Sequence, residues 1–105
     1  MRILFDQGAP VPLRRYLPGH TIATAFEMGW AEFGNGDLLL EAEAQFGALV
    51  TTDQNLRYQQ NLANRRLAIL VLPFASWPKL ERHKSKIVAA IEALQRGDYL
   101  DLTLP

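Results

Sequence analysis

The sequence contains no cysteine, which excludes a disulfide framework, a thiolate metal site and a cysteine nucleophile. Histidine is nearly as scarce. His83 falls within a helical pattern and His20 opens a strand, and neither is a candidate base. There is no excess of either charge, since eleven Lys and Arg balance eleven Asp and Glu, so net charge alone does not point to a nucleic-acid partner. Long apolar runs are also missing. Met1 to Phe5 is apolar for only a few residues before Asp6, too short for a secretion signal or a membrane span, and a cytoplasmic protein with no membrane contact is expected. No repeat, linker or low-complexity segment divides the 105 residues, which suit a single domain over 1–105 with one modest core.

One absence is local. Between Tyr16 and Leu56 there is no Lys or Arg, while Glu27, Glu32, Asp37, Glu41, Glu43 and Asp53 supply six acids. The bases lie outside this stretch, in Arg14 and Arg15, in Arg57, Arg65 and Arg66, and in a third group from Lys79 to Lys86. Ordinary solvated faces account for any one cluster taken alone. An acidic centre with basic flanks instead suits a metal site whose rim holds a phosphate backbone.

Short apolar runs alternate with helical spacing. Arg2 to Phe5 reads as a buried strand ending at Asp6, followed by a short helix from near Val11 to Leu17 and a second, parallel strand from His20 to Thr24. Ala25 to Trp30 reads as a helical turn. Asn35 is expected to cap a helix in which Leu38, Leu39, Ala42 and Phe46 share a face, with Asp37 in its first turn and Gly47 closing it. Ala48 to Thr52 is a strand ending at Asp53, Asn55 to Asn61 a polar helix, and Leu67 to Leu72 a strand that needs cover on both faces. Pro78 opens a long helix carrying Leu80, Ile87, Ile91 and Leu94 up to Gly97, and Tyr99 to Leu104 alternates as an edge strand. This alternation predicts a three-layer α/β fold with a mainly parallel sheet of four or five strands.

In open parallel sheets, ligands bind beyond the carboxyl ends of the strands. Asp6, Asp37 and Asp53 all fall on that side. Each has a structural explanation: Asp37 can favour the helix dipole, Asp53 can cap the next helix, and Asp6 can bind loop amides. Three carboxylates together without a base repel one another, so a site built from them binds a cation or keeps one acid protonated. Mg²⁺ or Mn²⁺ is the natural ion, and water acidified by it attacks phosphodiesters. Thr51, Thr52, Gln54 and Asn55 are positioned to orient a ligand, and Arg14, Arg57, Arg65 and Arg66 to hold phosphates. Trp30, Trp77, Tyr58 and Phe74 are candidates for stacking on bases or for packing in the core, and Phe74, Trp77 and Leu80 for a partner surface.

Three segments carry a resemblance. Ile3-Leu4-Phe5-Asp6-Gln7, then Gly29-Trp30-Ala31 with Asn35-Gly36-Asp37-Leu38-Leu39, and then Val50-Thr51-Thr52-Asp53-Gln54-Asn55-Leu56 look like the minimal PIN-like domains, a compact branch of the PIN nuclease superfamily. The resemblance runs from Met1 to about Leu94 and implies a PIN-like fold. It further implies that Asp6, Asp37 and Asp53 bind Mg²⁺ or Mn²⁺ and cleave RNA, with Gln7 beside them, and that the protein is the toxin partnered by an antitoxin; a homodimer is a further possibility. Gln7 and Gly8 stand where relatives often carry an acid and an Asn, and Gln54 and Asn55 replace a fourth acid. These departures raise the alternative of a catalytically weak or inactive PIN-like protein that binds a protein or a nucleic acid. A phosphoacceptor receiver domain also places Asp at parallel strand ends, but it wants a second acid at position 7 and a Lys near the last strand.

Overall fold

The computed structural model describes residues 1–59, 62 and 65–105. Five strands form one all-parallel sheet: β1 (Arg2–Phe5), β2 (Thr21–Thr24), β3 (Ala48–Thr51), β4 (Ala68–Val71) and β5 (Tyr99–Asp101), in the order β2-β1-β3-β4-β5. A 3₁₀ helix (Val11–Tyr16) joins β1 to β2. Helices α1 (Asn35–Gln45), α2 (Leu56–Gln59), α3 (Trp77–Glu81) and α4 (Lys84–Glu92) fill the later connections. The expected α/β class and the parallel sheet are present, with five strands.

The near-continuous apolar strands follow from burial on both sides, because a side-chain period of two sends alternate residues to opposite faces. Ile3, Phe5, Val50 and Leu70 belong to one core cluster with Leu13 of the 3₁₀ helix, Leu80 of α3 and Ile87 of α4. Leu4, Leu49, Ile69 and Val71 belong to a second cluster with Leu38, Leu39 and Ala42 of α1 and Leu56 of α2.

Several boundaries differ from expectation. Gly34, not Asn35, is the N-cap of α1, and Asn35 is its first helical residue. The expected long helix after Pro78 is broken. A tight turn closes from the Leu80 carbonyl to the His83 amide at 2.8 Å, and His83, at φ −116° and ψ 20°, then serves as the N-cap of α4. The helix after Asn55 covers Leu56–Gln59, while its expected continuation at positions 60 and 61 lies outside the described residues. The last strand ends at Asp101. Phe74 and Trp77 pack against the first core cluster and Leu80 is fully buried, so this segment is not the exposed apolar loop expected of a partner surface. Trp77 also stacks on Tyr16. The side chain of Tyr58 lies outside what is described. No helix among the described residues is long and apolar enough to cross a membrane.

Candidate functional site

Strand order reverses between β1 and β3, because β1 connects outward to β2 on one side while β3 leads to β4 and β5 on the other. The connections diverge there and leave a crevice at the carboxyl ends, which is where doubly wound sheets of this order bind ligands. Asp6 follows β1 and Asp53 follows β3, so both carboxylates stand at this crevice.

The register holds them close. Phe5 is level with Val50, and the Asp6 amide donates to the Val50 carbonyl at 3.1 Å, which places Asp6 beside Thr51. Thr51 is only 1% exposed, and its hydroxyl serves both acids. It donates to Asp6 Oδ2 and accepts the Asp53 amide at 3.1 Å. Asp6 Oδ1 accepts the Gly8 amide at 3.0 Å. Asp53 Oδ1 accepts the Asn55 amide at 2.9 Å in an Asx turn, and Asp53 Oδ2 accepts Nδ2 of Asn35 at 2.9 Å.

Burial pushes the Asp6 carboxyl above the usual carboxylate range. The Thr51 hydroxyl and the Gly8 and Ala9 amides counter that shift, and the charge of Asp53 adds to it. An unfolded chain releases this proton first. Ionisation of Asp6 therefore works against the fold, and stability falls as pH rises from the ordinary carboxylate range through the higher folded-state pKa.

Gly8 has a steric role. A Cβ on it would lie 2.1 Å from the Thr52 hydroxyl and 3.4 Å from Thr52 Cβ. Gly8→Ala is expected to cost roughly 1–2 kcal/mol through this overlap. Thr52→Ala in the same chain should recover most of that loss, as read by thermal or urea unfolding.

Two of the expected polar residues tie loops together. Gln7 Nε2 donates to the Ala31 carbonyl at 3.2 Å, and Gln54 Nε2 donates to the Leu72 carbonyl at 2.5 Å and to that of Thr52 at 3.3 Å. They fix the loops after β1 and β3 against the loop before α1 and the end of β4. Asp37 is exposed in the first turn of α1 and is not brought together with Asp6 and Asp53. Among the described residues there is no group of three or more His, Cys, Asp or Glu able to hold a metal. Asn35 takes the place at Asp53 that Asp37 was expected to share. Sequence reading assigned Asn35 to capping and so missed this role, although an Asn beside a helix start at a strand-end crevice was the available signal.

The arginines divide between the two ends of the sheet. Arg65 and Arg66 precede β4 and so lie at its amino end, away from the carboxylates; Arg66 pairs with Glu43 there. Arg57 pairs with Asp101 and lies over the Tyr99 ring. Arg14 pairs with Glu27 at 3.0 Å and donates to the Ile22 carbonyl at 2.6 Å.

Clefts open on both sides of Asp6. One of about 140 Å³ runs from Asp6 and Gln7 to Trp30, Phe33 and Asn35, with Trp30 and Phe33 stacked at 6.0 Å. The other, about 520 Å³, runs from Asp6 to Val11, Thr24 and Phe26. No family model matches the chain, no curated protein is similar to it, and no solved structure matches it.

Proposed function

We propose that this protein is a metal-dependent ribonuclease of the PIN type, acting on RNA in the cytoplasm as the toxin of a toxin–antitoxin pair. The observation that carries the proposal is the pair of strand-end carboxylates at the switch point, bridged by one buried threonine hydroxyl, with Asp6 held against its own ionisation. The donor set fits the ion. Carboxylate and amide oxygens are the hard ligands that Mg²⁺ and Mn²⁺ prefer, and a cation relieves the repulsion between Asp6 and Asp53.

Asp6 and Asp53 are the residues that would hold the ion. Bound there, Mg²⁺ or Mn²⁺ supplies positive charge to a phosphodiester and acidifies water. The protein's own part is orientation. Thr51 and the Gly8 amide fix the Asp6 carboxylate, while Asn35 and the Asn55 amide fix that of Asp53, so neither carboxylate has to reorganise when an ion or a phosphate arrives. Gln7 and Gln54 keep the surrounding loops in place.

The test is incubation of the purified protein with end-labelled single-stranded RNA, with and without Mg²⁺ or Mn²⁺. Cleavage that requires the ion and stops on chelation is expected. The second reading, a PIN-like protein that binds without cutting, draws on the separation of Asp37 from the pair. RNA retained intact in the same assay would favour it.

A further inference from the structure

Phe26 is 80% exposed, the most exposed large apolar side chain among the described residues. It is not on a loose loop. The Thr24 amide donates to Glu27 Oε1 at 2.8 Å while the Glu27 amide donates back to the Thr24 hydroxyl at 3.0 Å, the reciprocal pattern of a capping box. Arg14 clamps the same Glu27. Ala25 is buried and its amide donates to the Phe5 carbonyl at 2.8 Å, while the Trp30 amide closes back on the Ala25 carbonyl at 2.8 Å. A turn tied at both ends thus presents one aromatic ring to solvent. Such a placement forgoes the burial an aromatic side chain normally gains.

Phe26 shares the cleft of about 520 Å³ with Asp6, a size within the roughly 300–1,000 Å³ of small-molecule pockets. Val11, which lines the same cleft, also lines a groove of about 420 Å³ with Arg14 and the exposed Arg15. Asp6, the Phe26 ring and the exposed Arg15 are therefore linked through Val11, which lines both grooves, while Arg14 is already held by Glu27 and the Ile22 carbonyl. An apolar protein segment would leave Asp6 and Arg15 unmatched. A single nucleic-acid strand can place a base on the ring and a phosphate at Arg15, and it meets the Asp6 edge through a cation.

We propose that Phe26 is a base-stacking platform: single-stranded RNA crosses the Asp6 edge with the base next to the scissile phosphate on the Phe26 ring, and its backbone continues past Val11 to Arg15. This rests on the ribonuclease reading, because two carboxylates accept a phosphate only through a cation.

The test is fluorescence anisotropy of a short labelled single-stranded RNA in Ca²⁺ buffer, paired with cleavage in Mn²⁺. Phe26→Ala should weaken binding by about five- to hundredfold, as loss of one base stack does, while Phe26→Trp retains it. An RNA with an abasic site at the stacked position should bind wild type and Phe26→Ala equally. Unchanged melting of Phe26→Ala separates this from misfolding. Equal binding of intact RNA by wild type and Phe26→Ala, or no binding by wild type, overturns the proposal. So does loss of self-association in Phe26→Ala with RNA binding unchanged, which would assign the ring to a protein contact. Phe26-dependent binding without cleavage keeps the platform and rejects the nuclease, whereas cleavage indifferent to Phe26 does the reverse.

Discussion

Asp6→Asn and Asp53→Asn are each expected to lower the proposed ion-dependent RNA cleavage by at least about 100-fold, since even residues that only support a metal ligand cost 10–100-fold when lost. The two variants part company in stability. Asp6 is a carboxyl held above its ordinary range by burial, with Asp53 adding repulsion. An amide there carries no charge to desolvate; its oxygen can take the Gly8 amide and its NH₂ can face the Thr51 hydroxyl. Asp6→Asn is therefore expected to gain stability relative to wild type as pH rises through the raised folded-state pKa of Asp6, offset at every pH by the Thr51 hydroxyl's loss of its acceptor, with no pH-dependent gain below the ordinary carboxylate range. Asp53→Asn instead replaces one of two oxygens that both accept, from Asn35 Nδ2 at 2.9 Å and from the Asn55 amide at 2.9 Å, with an NH₂ donor. Single-turnover cleavage and melting curves from pH 3 to 8 check both parts. An Asp6→Asn variant that keeps its activity, or whose melting relative to wild type does not rise between pH 3 and pH 8, contradicts the assignment.

Thr51→Val is the second large effect. Valine has nearly the shape of threonine, so packing in this fully buried position is kept while the hydroxyl is lost. That hydroxyl has two bonds. Without it one Asp6 oxygen loses its donor and the Asp53 amide loses its acceptor. Leaving a buried polar group unsatisfied costs about 1–3 kcal/mol, so a loss of roughly 2–4 kcal/mol is expected for the pair, with a cleavage defect of 10-fold or more from the loosened carboxylates. Thr51→Ser keeps the hydroxyl and should retain most of the activity. Urea unfolding alongside cleavage measures both, and a Thr51→Val protein as active as wild type would show that the bridge is only structural.

Strands β1, β3 and β4 were legible because each is a short, mainly apolar run soon followed by Asp or Pro, and Arg2–Phe5 matches its expected bounds residue for residue. Parallel pairing also followed from the alternation with helices. What stayed hidden depends on side-chain direction. Asn35 satisfies every local rule for a cap, yet Gly34 holds that position and frees the Asn35 amide for Asp53, a choice made by a neighbour eighteen residues away. Asp37 follows the acidic pattern, but helix geometry leaves it exposed in the first turn while the strand ends converge without it. Arg66 lies near Asp53 in sequence and at the other end of the sheet in space, because β4 starts where β3 starts rather than where it ends. Phe26 gave no signal at all. Its exposure comes from the Thr24–Glu27 turn, and a Phe after a strand ordinarily reads as core.

The most direct measurement is a calorimetric titration of Mn²⁺ into wild type and Asp6→Asn at pH 7 and at pH 5. An ion held between Asp6 and Asp53 has to displace the Asp6 proton, and burial has moved that proton upward. Wild type should bind one site tightly at pH 7 and measurably more weakly at pH 5, a loss setting in at higher pH than an ordinary carboxylate would give, and Asp6→Asn should show no comparable site at either pH. Mn²⁺ binding that is equal in both proteins, or absent from wild type, would contradict a metal centre at the β1–β3 edge.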